Sequence, residues 1–137
     1  MYLNNQNFTF NFPAIMGICN VTKDSFSDGG KNYRTADALK NIKLMHNQGA
    51  SIIDIGAESA RPGSDPLTYQ QEINKLEPIL KKIQKDKFII SVDTNKIETQ
   101  EFALHQGVHI INDVFGGSED LFVLSKKYRN GLILMHT

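Results

Sequence analysis

The sequence predicts an α/β fold built on parallel strands, on the strength of three observations. Five apolar runs of strand length recur along the chain, at residues 14–18, 51–55, 88–92, 109–112 and 131–135. Segments with the apolar spacing of helices separate these runs. None of the runs alternates cleanly between apolar and polar residues, which is typical of strands buried on both faces. Alternating strands and helices predict right-handed crossovers, so an open doubly wound sheet and a βα barrel both fit.

Four helices are expected between and after the strands. They should begin near Thr35, Asp65, Lys96 and Glu119. Thr35 is a candidate N-cap of the first helix. Asp65 followed by Pro66 is a favourable start for the second helix, with Asp65 as its N-cap. Pro78 lies within that second segment and should kink or interrupt it, because proline lacks a backbone N–H.

Composition narrows the class of protein. The 137 residues carry 15 Lys and Arg against 15 Asp and Glu, so the net charge is zero and nothing draws the whole chain to nucleic acid or a membrane. An apolar fraction of 40% is enough for one packed domain, and no apolar run approaches the ~18 residues of a membrane span. The first residues do not form a secretory signal, and a lone cysteine cannot form an internal disulfide. We therefore expect one domain over residues 1–137, no second domain, and a cytoplasmic location.

Polar side chains lie at or near the C-terminal ends of all five predicted strands. They are Asn20, Asp54 with Glu58, Asp93, Asn112 with Asp113, and His136. In a βα barrel these ends converge on the face that holds the active site, whereas an open sheet brings only neighbouring ends together. The pattern therefore favours a barrel with a polar site at that face.

Each of these residues also has a plain structural interpretation. Asp93 could cap the helix that follows it, Asn112 and Asp113 could be ordinary turn residues, and His136 could be solvated. Asp54 is harder to explain this way, because it lies between buried isoleucines, where a carboxylate needs a hydrogen-bonding partner. The histidines at positions 46, 105 and 109 lack the spacing of metal ligands and are expected to be structural or exposed.

Two loops carry further chemistry. The loop over residues 20–30 is long, rich in hydroxyl and carboxylate groups, and contains Phe26, which is typical of an active-site flap and also of a plain surface loop. The loop over residues 57–64 places Arg61 beside Pro62. A guanidinium suits carboxylates and phosphates, although most surface arginines are simply solvated.

The strand ends and both loops resemble the dihydropteroate synthase family. The matching segments are 16–22 with 24–30, 54–63, 91–94, 111–114 and 134–136. The resemblance covers the chain from about residue 10 onward. It implies a (β/α)8 TIM-type barrel, of which this chain supplies about the first five strands, because such a barrel needs ~250 residues.

The resemblance also implies an activity. The family condenses 6-hydroxymethyl-7,8-dihydropterin diphosphate with p-aminobenzoate, releasing pyrophosphate, in folate biosynthesis, and is the target of sulfonamides. Carried over by position, Asp93 and Asn112 would be the catalytic residues that hydrogen-bond the pterin. Asp54 would lie near the floor of the pterin pocket and Met135 would line it. The 137-residue chain alone is expected to be inactive.

The same resemblance implies a cofactor and partners. Asn20 would be the Mg²⁺ ligand beside the diphosphate, and Phe26, Arg61 and Pro62 would enclose p-aminobenzoate. A second copy or a complementary C-terminal half would be the protein partner, with no nucleic acid and no membrane. Lys23, Ala57 and Ala60 depart from the family pattern, and the last removes a hydroxyl near the aminobenzoate end. A methyltetrahydrofolate-type methyltransferase and a non-catalytic half-barrel remain alternatives.

Overall fold

A computed structural model describes residues 1–9, 12–21, 30–58 and 62–136, with the side chains of residues 30–34 left out. All five predicted strands form one parallel sheet in chain order. The strands are β3 (Met16–Asn20), β4 (Ile52–Gly56), β5 (Ile89–Asp93), β6 (Ile110–Asp113) and β7 (Gly131–Leu134). In the part of the chain that is described, no helix is long and apolar enough to cross a membrane.

The helices between the strands are α1 (Gly30–Asn47), α2 (Tyr69–Lys82), α3 (Ile97–His105) and α4 (Glu119–Tyr128). The third and fourth begin within one residue of their predicted starts. The first begins five residues before Thr35, so Thr35 lies inside α1 and the prediction that it caps the helix is wrong.

The predicted start of α2 at Asp65 is also wrong. Thr68 is the N-cap: its hydroxyl accepts a hydrogen bond from Gln71 N–H at 3.2 Å, and Gln71 Oε1 accepts one from Thr68 N–H at 2.9 Å. This reciprocal capping box satisfies two backbone donors at once, which favours Thr68 over Asp65. Pro78 lies inside α2, which continues through it without interruption.

The two faces of the sheet have different roles. On the outer face, the side chains of residues such as Ile53, Ile55, Ile90, Val92 and Ile111 are buried against the helices and form the main core. Alternate residues of the same strands point to the inner face, since successive strand residues face opposite sides. The lower part of that inner face holds a smaller apolar cluster made by Leu3, Ile52, Ile89, Ile110 and Ile133 with Phe8.

A short hairpin that the sequence analysis missed packs across the N-terminal ends of the strands. It pairs β1 (Tyr2–Leu3) with β2 (Gln6–Asn7), and its turn residues Asn4 and Asn5 have φ of 45° and 64°. Asparagine tolerates this left-handed backbone better than most residues, which favours a tight turn here.

His109 fastens the hairpin to the sheet. Its Nδ1 accepts a hydrogen bond from Ile90 N–H at 2.9 Å, so Nε2 carries the proton and donates to Gln6 Oε1 at 2.6 Å. The ring also contacts Phe8 edge to face. The pKa of His109 is lowered to about 4, mainly by burial and to a lesser extent by the positive charge of Lys85. The ring is therefore neutral and structural, as expected for a histidine without metal-ligand spacing.

Candidate functional site

Residues from four neighbouring strands form one row at the C-terminal end of the inner face. The strand register pairs Asn20 with Gly56, Gly56 with Asp93, and Asp93 with Asn112. Parallel pairing brings these strand ends to one edge of the sheet, as the sequence predicts. The row therefore contains two amides and one carboxylate, and Gly56 lies between Asn20 and Asp93.

Gly56 makes room for the two side chains beside it. A Cβ atom built at this position would lie 3.3 Å from Asn20 Oδ1 and 3.7 Å from Asp93 Oδ2. The missing side chain therefore leaves a space into which both polar groups project from neighbouring strands. Sequence reasoning did not single out Gly56, although a glycine that ends an isoleucine-rich strand is a signal for a close approach.

Asp54 lies one row below and is bonded to Asn112. The Asn112 side-chain amide donates a 3.0 Å hydrogen bond to Asp54 Oδ2. Asp54 is only 3% exposed, and its Oδ1 has no hydrogen-bond partner among the described residues. This contact provides the partner that a carboxylate in this apolar strand needs.

Asp93 is a half-buried carboxylate without a hydrogen-bond partner in the described ranges. Burial is the main cause that raises its pKa to about 6, and the charges of Asp54, Glu72, Asp113 and Glu58 add to it. Asp93 does not cap α3, whose N-cap is Lys96. A free carboxylate at the end of a buried strand, among other carboxylates, is arranged to accept hydrogen bonds from a ligand.

Asp113 has the structural role that the sequence left open. Its Oδ1 accepts a hydrogen bond from Phe115 N–H at 2.9 Å, and its Oδ2 accepts one from Gln100 Nε2 at 3.1 Å. Gln100 also donates to Thr94 O at 2.9 Å, so one buried amide ties the ends of β5 and β6 together. The turn interpretation therefore holds for Asp113, whereas Asn112 contacts Asp54.

A lysine and two glutamates form an ion-pair cluster beside this row. Lys96 Nζ lies 2.7 Å from Glu58 Oε2 and 2.6 Å from Glu72 Oε2. The three residues, with Asp93, line a cleft of about 210 Å³ whose rim includes the exposed Phe115. Glu58 was expected near the site. Lys96 and Glu72 were missed, because the residues of the cluster come from three different elements.

The remaining predicted site residues lie at the edge of the described structure. Met135 follows β7 and is exposed, with its N–H donating to Asp113 O at 3.1 Å. His136 is also exposed, as is Pro62 at the start of the turn before Gly63. Phe26 and Arg61, together with Lys23 and Ala60, lie outside the described residues.

Asn20 can contribute to a magnesium site only with help from other ligands. Its side chain is exposed, has no partner among the described residues, and presents an oxygen of the kind that Mg²⁺ prefers. No group of three or more His, Cys, Asp or Glu side chains in the described ranges is placed to hold a metal ion. The Asn20 oxygen therefore fits Mg²⁺ only as one ligand among several, the others being water or groups outside the described residues.

Comparison with known proteins gives the family. Residues 16–137 match the family described as pterin binding enzyme. A dihydropteroate synthase from Streptococcus pyogenes serotype M1 is 45% identical over 126 residues, which are 90% of this chain and 47% of that protein. The chain therefore spans about half the length of the curated relatives it matches.

Solved structures with the same fold include two with ligands. The dihydropteroate synthase of Anaplasma phagocytophilum, with bound 6-hydroxymethylpterin-monophosphate, is 36% identical with a TM-score of 0.81, covering 90% of this chain and 48% of that one. The enzyme of Xanthomonas albilineans, with 4-aminobenzoic acid, is 32% identical with a TM-score of 0.83, covering 98% and 52%. The five-stranded sheet is thus about half of a TIM-type barrel, which confirms the predicted fold, and the chain belongs to the pterin binding enzyme family.

Proposed function

We propose that this chain is the pterin-binding part of a dihydropteroate synthase. The reaction would join 6-hydroxymethyl-7,8-dihydropterin diphosphate to p-aminobenzoate and release pyrophosphate. The observation that carries the proposal is the Asp93 carboxylate, which has no hydrogen-bond partner among the described residues and lies in one row with Asn20 and Asn112. The names of the matched relatives and the pterin bound to the Anaplasma enzyme support it.

Asp93 and Asn112 would bind the pterin. The Asp93 carboxylate would accept hydrogen bonds from the amino group and a ring N–H of the pterin. Asn112 uses its nitrogen to bond Asp54, which leaves its oxygen to accept from the ligand. As the diphosphate departs and positive charge develops on the pterin methylene, the fixed negative charge of Asp93 would stabilise it. Met135 would line the pocket from the end of β7.

Asn20 would bind at the diphosphate end. Its side-chain oxygen would be the protein ligand of Mg²⁺, which when bound supplies positive charge to the leaving diphosphate. Gly56 would keep the space between Asn20 and Asp93 open, so that the methylene carbon can lie between the pterin site and the diphosphate site.

The second loop would bind the other substrate. Pro62, with Arg61 and Phe26, would enclose p-aminobenzoate, whose carboxylate suits a guanidinium. The 4-aminobenzoic acid in the Xanthomonas albilineans structure supports p-aminobenzoate as the second substrate. After the diphosphate has departed, the aniline nitrogen would attack the positively charged methylene carbon and release a proton to solvent.

The test is product formation by a complete barrel. The preparation is the whole polypeptide that the gene encodes. If that polypeptide ends at Thr137, it is co-expressed with the C-terminal half of the Streptococcus pyogenes relative. We call this preparation the complete enzyme. It should form 7,8-dihydropteroate and pyrophosphate only when both substrates and Mg²⁺ are present. Methyl transfer from methyltetrahydrofolate, or pterin binding without any turnover, would contradict the proposal and favour one of the two alternatives.

A further inference from the structure

Near the start of the loop over residues 57–64, the carboxylate of Glu58 forms an ion pair with Lys96 at the start of α3. Glu58 follows β4 by two residues and is the last described residue before Pro62 resumes the chain. Its Oε2 lies 2.7 Å from Lys96 Nζ, in an ion pair whose side chains are 37% and 22% exposed. The start of the loop is therefore attached to the turn between β5 and α3.

Glu72 forms a second ion pair with Lys96 and restrains its side chain. Its side chain is 1% exposed, and its Oε2 lies 2.6 Å from Lys96 Nζ. A carboxylate buried to this degree is costly without a cation, and Lys96 is the cation that the described residues place beside it. Because Glu72 lies in the first turn of α2, the lysine side chain is anchored to a helix of the core rather than to solvent.

The backbone of Lys96 belongs to the segment that carries Asp93. Lys96 N–H donates to Thr94 Oγ1 at 3.2 Å, and Thr94 N–H donates to Asn112 O at 3.1 Å. Lys96 is thus three residues from Asp93 and joined to the end of β6. A single side chain therefore connects the strand ends of the pterin site with the origin of the loop that bears Arg61 and Pro62.

We propose that Lys96 is a positioning residue that aligns the p-aminobenzoate loop with the pterin site through its ion pairs with Glu58 and Glu72. The inference rests on the proposed function for its catalytic consequence, but not for the contact itself. Lys96 does not act on the reacting atoms. It fixes the position of Glu58, where the loop begins, relative to Asp93. Correct alignment of two substrates is a large part of the rate of a condensation.

The test compares Lys96→Met, which keeps length but removes charge, with Lys96→Arg, which keeps charge. In the complete enzyme, Lys96→Met should raise the KM for p-aminobenzoate by about tenfold, while the KM for the pterin diphosphate changes by less than about threefold. Lys96→Arg should restore most of the affinity. Lys81→Met is the matched control, because Lys81 pairs with Glu77 on the exposed side of α2 and should change neither constant.

A second variant keeps the proposal testable where Lys96→Met fails to fold. Glu58→Gln removes the partner on the loop and leaves the buried pair of Lys96 with Glu72 intact. It should raise the KM for p-aminobenzoate in the same way with an unchanged melting temperature. An unchanged KM in Glu58→Gln, or equal losses for both substrates in the Lys96 variants, would overturn the proposal.

Hydrogen exchange separates this inference from the proposed function. The amides of Glu58 and Gly63 should exchange faster in Lys96→Met and in Glu58→Gln than in the parent, whereas the Lys81→Met control should match the parent. This readout needs no turnover. A parent enzyme without synthase activity would defeat the proposed function alone, and unchanged exchange would defeat the role of Lys96 alone.

Discussion

The hydrogen bond from Asn112 Nδ2 to Asp54 Oδ2, 3.0 Å long, joins two strands that are not neighbours in the sheet. The strand between them presents Ser91, which is paired in register with Asp54 and has a small side chain. The amide nitrogen of Asn112 is the donor in this hydrogen bond and the carboxylate oxygen of Asp54 is the acceptor. The oxygen of Asn112 is thereby oriented before any ligand arrives.

Replacing Asp93 with asparagine should abolish turnover and stabilise the fold. The substitution keeps size and removes the charge that the pterin would need, so kcat of the complete enzyme should fall by about a thousandfold or more. The circular dichroism spectrum of Asp93→Asn should match that of the parent, which would show that the variant is folded. Near-normal turnover in Asp93→Asn would reduce this residue to a structural role.

The stability effect of that substitution should depend on pH. The pKa of Asp93 is raised from 3.8 to about 6, so the folded state binds a proton more tightly than the unfolded state and loses stability as pH rises through this window. Asp93→Asn should therefore have a higher melting temperature than the parent at pH 7.5, and nearly the same melting temperature as the parent at pH 4. A variant that is less stable than the parent at pH 7.5 would contradict the burial argument.

Removing the amide of Asn20 should weaken magnesium-dependent binding. In Asn20→Ala, calorimetric titration with pyrophosphate should show about tenfold weaker binding in Mg²⁺, because one oxygen ligand is lost. In EDTA the variant and the parent should bind equally. If Mg²⁺ made no difference to the parent protein, the assigned role of Asn20 would be wrong.

Adding a methyl group at Gly56 should damage the site without unfolding the barrel. Gly56→Ala places a Cβ 3.3 Å from Asn20 Oδ1, so the Asn20 side chain must shift slightly, whereas the 3.7 Å distance to Asp93 Oδ2 is an ordinary contact. Turnover should fall by about tenfold or more, while the melting temperature changes by a few degrees at most. Full activity in Gly56→Ala would show that the space between Asn20 and Asp93 is not used.

The buried His109, which links the hairpin to the sheet, should make the stability of the protein sensitive to acid. The pKa of His109 is lowered from 6.5 to about 4, so the folded state resists protonation and its stability falls as pH drops from 6.5 towards 4. His109→Phe should flatten this part of the stability profile. It should also cost about 1–3 kcal/mol at pH 7, because the buried N–H of Ile90 loses its acceptor. His105→Gln, on the exposed side of α3, is the control and should leave the profile unchanged.

The isolated 137-residue polypeptide should not behave as a stable, active monomer. Strands β3 and β7 are the edges of the described sheet, and Ile18 on β3 is 62% exposed on the inner face. Exposed apolar edge strands promote association. Sedimentation and near-ultraviolet dichroism should show self-association or loose packing. A monodisperse monomer with a cooperative melt would contradict this prediction.

The strands and the strand-end site were predictable because both follow from local patterns. Runs such as Ile52–Ile53 and Ile89–Ile90 have few alternatives to a buried strand, and polar residues at their C-terminal ends must meet once the strands are parallel. The α2 start was mispredicted because Thr68 and Gln71 satisfy two backbone donors together, whereas Asp65 with Pro66 offered a cap for only one.

The parts that could not be predicted depend on pairings between distant residues. Lys96 is ordinary in sequence and becomes important only because α2 and the end of β4 bring Glu72 and Glu58 to it. Likewise, the buried state of His109 depends on Gln6 from the first seven residues. No local spacing encodes such contacts, whereas the motif resemblance located the strand ends directly.

The hairpin at the N-terminus has a consequence for synthesis on the ribosome. Asn4 Nδ2 donates to Leu104 O and Val108 O, and Asn4 N–H donates to Arg129 O. The hairpin residues therefore have no docking site until the segment from Leu104 to Arg129, a hundred or more residues later in the chain, has been translated and folded. Docking of the hairpin onto the sheet must therefore be among the last steps of folding. Protection of the hairpin backbone from proteolysis then reports that the sheet up to β6 has already formed.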